Sequence, residues 1–339
     1  MKLLPADRPW LIAEAGVNHN GRLDLALRLV DAAARAGADA VKFQTFRAEA
    51  LASSSAPQAA YQRRSGRSSQ LEMLKRLELS PEAHRKVRAR CRARGVEFLS
   101  TPFDEASADF LDALGVRAFK IASPDAANPR LLAHVARKRK PVFLSTGMCT
   151  LAEVRDAVRT LKAGGARGIA VLHCVSSYPT PPDQANLRAI PTLARALKLP
   201  VGYSDHTTGL EASFAAAALG ARVIEKHFTL DKSLPGPDHA MSLDPGELAR
   251  LASGLRLVAA ELGDGIKRPQ PCEADVVRVA RRSLVFARDM AAGERIGDGD
   301  LAVKRPGTGL PPKAWDRTVG RRLRRAARAD ELVTPGHLR

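Results

Sequence analysis

The chain has 339 residues, of which 45% are hydrophobic, and no apolar run approaches the length needed to cross a bilayer, which excludes a membrane-spanning helix. Lys and Arg number 54 against 36 Asp and Glu, a formal charge of +18. The basic residues are dispersed among alanines, as in AAARAGADA, AHVARKRK and LARALKLP, which is the pattern of solvated helix faces rather than of a nucleic-acid-binding stripe. The densest stretch, GRRLRRAARAD, offers at most a patch for an acidic partner. The start, MKLLPADRPW, lacks an apolar core followed by a small-residue cleavage site, so a cytoplasmic location is expected. Cys91, Cys149, Cys174 and Cys272 lack CxxC spacing and are expected to be isolated thiols.

From Trp10 to Leu262 short β-branched or aromatic runs alternate with longer segments of helical spacing. The predicted strands are, in order, WLIAEAG, DAVKFQT, VEFLSTPF, RAFKIAS, PVFLSTG, GIAVLHCVSS, VGYSDH and RVIEKHF. Helices are expected after each, several ending at Gly37, Gly95, Gly115 and Gly220. Eight β-then-α units imply an α/β fold of the (β/α)8 TIM-barrel type. An open doubly wound sheet would ordinarily carry a glycine-rich phosphate turn after the first strand, and none is present. Polar or ionisable residues stand near every strand end: Glu14, Lys42 with Gln44, Thr101, Lys120 with Ser123, Ser145, Ser176, His206, and Glu225 with His227. In a barrel those ends form one rim. The long connection from Phe46 to Leu79, which begins AEALASSSAPQAAYQ, is expected to cover part of that rim.

Beyond Gly263 the pattern changes to short β-like runs broken by glycine turns. The expected division is a barrel over 1–264, a polar linker over 265–279 and a small module over 280–339, too small to bring a large pocket of its own.

Ser204 with His206, and Glu225 with His227, sit two residues apart, so each pair shares a strand face. Adjacent strands lie about 4.8 Å apart, close enough for the two imidazoles to share one cation; acid–base coupling is the alternative. Two imidazoles without a cysteine favour Mn²⁺ over a closed structural zinc site, with Mg²⁺ or Co²⁺ as other choices. Such an ion would polarise a carbonyl oxygen for attack by a carbon nucleophile. Lys42 and Lys120, amid the hydroxyls of Thr101, Ser123, Ser145 and Ser204, suit a phosphate dianion. Gln44 shares the Lys42 face and is positioned for a second ligand. Glu14, at the first strand's exit, is a candidate acid or base.

In this order, AEAGVNHNG, VKFQT, QLEMLKRLELS, LSTPFD, FKIAS, LSTGM, SYPTP, YSDHTTG, EKHFTL, GPDHAMSL and RRSLVFARD with KRPGTGL make the chain resemble the N-acetylneuraminate (sialic acid) synthase family, which includes legionaminic and pseudaminic acid synthases and spore-coat polysaccharide relatives. The resemblance implies a metal-dependent barrel with a C-terminal antifreeze-like (SAF, β-clip) domain and a domain-swapped homodimer. It implies condensation of phosphoenolpyruvate with N-acetylmannosamine, or a related 2,4-diacetamido-trideoxy hexose, to a nine-carbon 2-keto acid. His206 and His227 would hold the metal. Lys42, Thr101, Lys120, Ser123, Ser145, Ser176 and Ser204 would hold phosphoenolpyruvate. Gln44, Tyr178, Asp238 and, from the second subunit, Arg305 would meet the sugar, with Glu14 and Glu225 as the catalytic carboxylates. Ser176 stands where some acetylneuraminate-forming members carry asparagine, which bears on the acceptor's identity. The competing readings are a 3-deoxy-ulosonate phosphate synthase and a non-catalytic sugar- or nucleic-acid-associated barrel.

Overall fold

Eight parallel strands occupy the runs expected of them: β1 (Trp10–Gly16), β2 (Ala40–Thr45), β3 (Glu97–Pro102), β4 (Phe119–Ile121), β5 (Val142–Ser145), β6 (Ile169–Cys174), β7 (Val201–Asp205) and β8 (Val223–His227). They pair in the order β3-β2-β1-β8-β7-β6-β5-β4. Because β1 pairs with both β2 and β8, the sheet curls into a nearly closed barrel, with its seam between β3 and β4. The computed structural model describes residues 3–53, 56 and 69–339, which divide into two compact units, Met1–Gly263 and Asp264–Arg339.

Strand side chains alternate in direction, and here both directions are covered. Inward positions low in the barrel pack Trp10, Ile12, Leu99, Phe143, Leu172 and Val223 together, with the Trp10 and Phe143 rings stacked at 5.3 Å between centroids. Outward positions such as Leu11, Val41, Phe43, Phe119, Val171 and Ile224 join a second cluster with the surrounding helices. The inward series continues upward along each strand into Glu14, Lys42, Thr101, Lys120, Ser145, Cys174, Ser204 and Glu225. The apolar plug and the polar rim are therefore successive layers of the same strand faces.

Helices form where an apolar stripe meets a usable cap. Helix α1 (Leu23–Ala36) buries Leu25, Leu29, Val30, Ala33 and Ala36 and ends at Gly37, whose left-handed backbone returns its N–H to Ala33 and Ala34. Gly95 and Gly115 likewise end α4 (Pro81–Arg94) and α5 (Glu105–Leu114), whereas Gly220 stands one residue past the cap of its helix. The connection after β2 carries α2 (Ala48–Leu51) and α3 (Gln70–Leu77) at its two ends. Its middle, 54, 55 and 57–68, lies outside the described residues, and with it most of the expected cover over the rim. The remaining barrel helices are α6 (Pro129–Arg137), α7 (Leu151–Ala163), α8 (Ala189–Leu197), α9 (Glu211–Ala218) and α10 (Pro245–Leu262).

The C-terminal unit contains an antiparallel pair, β9 (Ser283–Phe286) with β10 (Leu301–Lys304), around a small core of Leu284, Phe286, Met290, Ile296, Leu301, Leu323 and Val333. The stretch expected as a linker over 265–279 has local structure of its own. It belongs to this second unit and carries a 3-10 turn and helix α11 (Ala274–Ala280).

Gly202 faces the barrel interior on β7, where a Cβ would stand 2.5 Å from Leu172 Cδ2 and 2.6 Å from the Val223 carbonyl oxygen. Gly202→Ala is expected to lower stability by about 1–3 kcal/mol through overpacking, read as a shift of the urea midpoint at unchanged slope.

Candidate functional site

The C-terminal strand ends surround a cavity of about 460 Å³. It is lined by Glu14, Lys42, Gln44, Thr101, Lys120, Ser123, Ser145, Ser176, Tyr178, Ser204, His206, Glu225, His227 and Asp238. These are all the site residues expected from the sequence except Arg305. Arg305 is exposed in the C-terminal unit, directly after β10.

Four buried ionisable groups form the cavity floor. Lys42 Nζ lies 2.8 Å from Glu14 Oε2 and 3.8 Å from Glu225 Oε1, and Lys120 Nζ lies 3.6 Å from the same Glu225 oxygen. Hydroxyls complete the set. Lys42 donates to Thr101 Oγ1 at 3.2 Å, Lys120 to Ser145 Oγ at 2.6 Å, and Ser204 Oγ to Glu225 Oε1 at 3.0 Å. Glu14 is aimed by a register shift: it pairs with Lys42, but the next pair is Gly16 with Phe43. Gly16 takes a φ of +51°, and a Cβ there would approach Glu14 Oε1 to 3.2 Å.

Burial divides the protons unequally among these four groups. It raises the Glu14 carboxyl to about 7 despite the opposing pull of Lys42. Burial works the same way on Glu225, but Lys120 and Lys42 outweigh it and hold Glu225 below the usual carboxylate range. Two carboxylates with opposite shifts, joined through one lysine, are poised as a proton-bearing and an ionised partner. Burial lowers Lys120; for Lys42 it is outweighed by Glu14 and Glu225, and the ammonium is stabilised.

The two histidines stand beside this cluster, their ring centroids 5.7 Å apart. His206 Nδ1 is 2.8 Å from the Val175 carbonyl oxygen. A carbonyl only accepts, so Nδ1 carries the proton and Nε2 keeps its lone pair. Nε2 lies 3.5 Å from Ser204 Oγ. His227 Nδ1 is buried with no hydrogen-bond partner and lies 3.8 Å from Asp238 Oδ2. Burial holds both imidazoles below their ordinary pKa, hence neutral, which is the form that binds a cation. This donor set suits a divalent metal that keeps several positions open, and no cluster of three or more His, Cys, Asp or Glu able to hold a metal occurs among the described residues. Tyr178 packs its ring against His206 at 4.3 Å between centroids. Burial raises the Asp238 carboxyl to about 6.

Two features were not anticipated from the sequence. Cys174, a free thiol, is the inward residue at the end of β6; its Sγ lies 3.0 Å from Ser123 Oγ and accepts from Gly147 N at 3.1 Å. Its parity with Leu172 was the available signal. The second feature is an apolar wall of Val17, Leu51, Met73, Leu74, Leu77 and Phe103, supplied largely by α2 and α3.

Comparison with known proteins places this geometry in context. A family model described as the NeuB family matches residues 29–267, and an SAF domain model matches 281–339. The chain is 48% identical over 320 residues to the N,N'-diacetyllegionaminic acid synthase of Legionella pneumophila, covering 93% of this chain and 90% of that one. It is 44% identical to the synthase of the same description from Campylobacter jejuni, over 95% and 98% of the two chains. Among solved structures it resembles the N-acetylneuraminic acid (sialic acid) synthetase of Leptospira borgpetersenii, with a TM-score of 0.74, 36% identity, and 81% and 92% of the chains covered.

Removing Lys42 would leave Glu14 and Glu225 buried without their shared cation. Lys42→Met is expected to cost about 3–5 kcal/mol in chemical denaturation, and adding Glu14→Gln to it should restore a substantial part.

Proposed function

This chain belongs to the NeuB family and carries an SAF domain at its C-terminus, and on that premise we propose that it condenses phosphoenolpyruvate with an unphosphorylated 2,4-diacetamido-trideoxy hexose. The products are a nine-carbon 2-keto sugar acid and phosphate. N-Acetylmannosamine is the second choice of acceptor. The observation that carries the reading is the buried cluster of Glu14, Lys42, Glu225 and Lys120, ringed by hydroxyls beside a neutral histidine pair. The two relatives named as diacetyllegionaminic acid synthases support the choice of acceptor. So does the cavity lining. Its Met73–Leu77–Phe103 wall suits the methyl group of a deoxy sugar.

In this scheme Lys42, Lys120, Thr101, Ser123, Ser145, Ser176 and Ser204 bind phosphoenolpyruvate by charge and directed hydroxyls. Gln44, Tyr178 and Asp238 face the sugar. His206 and His227 hold a divalent ion, Mn²⁺ first among the choices, which when bound supplies Lewis acidity toward the acceptor's carbonyl oxygen. C3 of phosphoenolpyruvate bonds to the aldehyde carbon, and Glu14 gives its proton to the aldehyde oxygen. Water adds at C2 and releases a proton to Glu225. The C2–O bond to phosphorus then breaks, phosphate departs with the proton of the new hydroxyl, and the ketone remains. The lysines stabilise negative charge throughout.

The protein is further proposed to act in the cytoplasm as a homodimer, with Arg305 of a second copy reaching the acceptor. Leu257, Leu262, Ile266, Val276 and Val279 are exposed, and α11 buries none of its residues, both of which suit a second copy.

Phosphate release from phosphoenolpyruvate with added Mn²⁺ is expected with the 2,4-diacetamido-trideoxy hexose, weakly or not at all with N-acetylmannosamine, and not without sugar. His206→Ala should abolish the metal-dependent rate; full activity in that variant would sink the assignment of the histidine pair. With Glu14 acting as the acid, kcat/KM for the sugar should fall as pH rises through about 7. Glu14→Gln should lower the rate at least about 100-fold and remove that limb of the profile.

A further inference from the structure

On β7 and β8 the outward faces carry a buried charge pair, where the outward buried polar residues of β2, β3 and β6 are Thr45, Ser100 and His173. Asp205 and Lys226 alternate with the inward pairs Ser204/His206 and Glu225/His227, and the strand register sets them directly opposite one another. Their side chains meet at 2.7 Å and are 0% and 2% exposed. An ion pair so deeply buried contributes little net stability over a hydrophobic pair of similar size, which directs attention to what it positions.

Asp205 immediately precedes His206, and Lys226 immediately precedes His227. The pair is therefore a cross-strand tie one residue behind each imidazole. It also holds the turn that follows β7. Asp205 Oδ1 accepts from Thr207 N at 2.8 Å and from Thr207 Oγ1 at 2.7 Å, while Lys226 Nζ donates to the Thr207 carbonyl at 2.8 Å. Ser213 of α9 donates to Asp205 Oδ2 at 2.7 Å, anchoring the tie to the helix layer. Thus Thr207 is gripped through its N–H, hydroxyl and carbonyl. His206 between these residues is held from the cavity side as well, its carbonyl accepting from Thr180 N and its Nδ1 donating to Val175, each at 2.8 Å.

We infer that the Asp205–Lys226 pair is a positioning device that sets the spacing and orientation of His206 relative to His227, and through them the affinity for a divalent cation. This rests on the reading of the histidine pair as the metal site. Of the proposed phosphoenolpyruvate contacts, Lys42, Thr101, Lys120 and Ser145 come from β2, β3, β4 and β5, which the tie does not touch, and Ser204 is the one on β7.

The test is isothermal titration of the full chain with Mn²⁺ and, separately, with phosphoenolpyruvate. The double variant Asp205→Asn with Lys226→Met keeps an Oδ1 acceptor for Thr207 but removes the cross-strand charge pair. The expected result is a loss of Mn²⁺ affinity of about tenfold or more, with phosphoenolpyruvate affinity within about twofold of the starting protein. An unchanged Mn²⁺ affinity, or equal losses for both ligands, overturns the inference, since a general loosening would weaken both. Should the double variant not fold, Ser213→Ala removes the helix anchor and leaves both charges; a selective fall in Mn²⁺ affinity supports the device and no change overturns it. His206→Ala in the starting protein separates the two layers of the argument. If it leaves Mn²⁺ binding intact, the metal reading itself fails and the positioning role falls with it.

Discussion

Two lysines buried near the axis of a barrel would be untenable without carboxylates at ion-pairing range, and the upper half of this barrel is organised around that constraint. Lys42 and Lys120 are 4% and 2% exposed, and Glu225 lies within 3.8 Å of both ammonium groups. Placing Glu225 there requires β8 to close the sheet against β1 while facing β2 and β4 across the interior. Barrel closure and charge compensation therefore depend on one another. The same arrangement holds Glu225 below the usual carboxylate range and raises Glu14 to about 7, the asymmetry that acid–base chemistry needs.

Below this layer the interior is apolar and closely packed. The stacked Trp10 and Phe143 rings and the close approach of Leu172 and Val223 to Gly202 form an apolar layer beneath the charged floor. Low dielectric from below strengthens the interactions among the four charged groups and raises the cost of disturbing any one of them. The histidines sit one step higher on the same faces, held neutral by burial.

The strands serve two layers at once. Inward residues of β7 and β8 supply Ser204, His206, Glu225 and His227, while the outward residues between them supply the Asp205–Lys226 tie. A buried charge pair contributes little stability that apolar residues of similar size would not, so its consequence is geometric: it fixes Thr207 and Ser213 around the end of β7. Opposite the charged floor, α2 and α3 contribute a hydrocarbon wall, so the cavity is amphipathic.

The sequence by itself determined the eight strands, their helices and the inward parity of the rim residues. Those features are local: period-two and helical spacing, caps and glycine punctuation all act over a few residues. It also pointed to Glu14, Lys42, Lys120, His206 and His227, since each is a polar residue ending an apolar run. Tertiary structure alone decided how these groups share protons, because the Glu14 and Glu225 shifts depend on distances between strands far apart in sequence. It likewise revealed Cys174 beside Ser123, which read as an isolated thiol until β4 and β6 were brought face to face across β5. The apolar wall was hidden in a stretch read as a loop, where the short helices draw their meaning from packing on Phe46 and Phe103. Asp205 and Lys226 passed unnoticed for the same reason: each is one charge in a strand, and only the β7–β8 register makes them a pair.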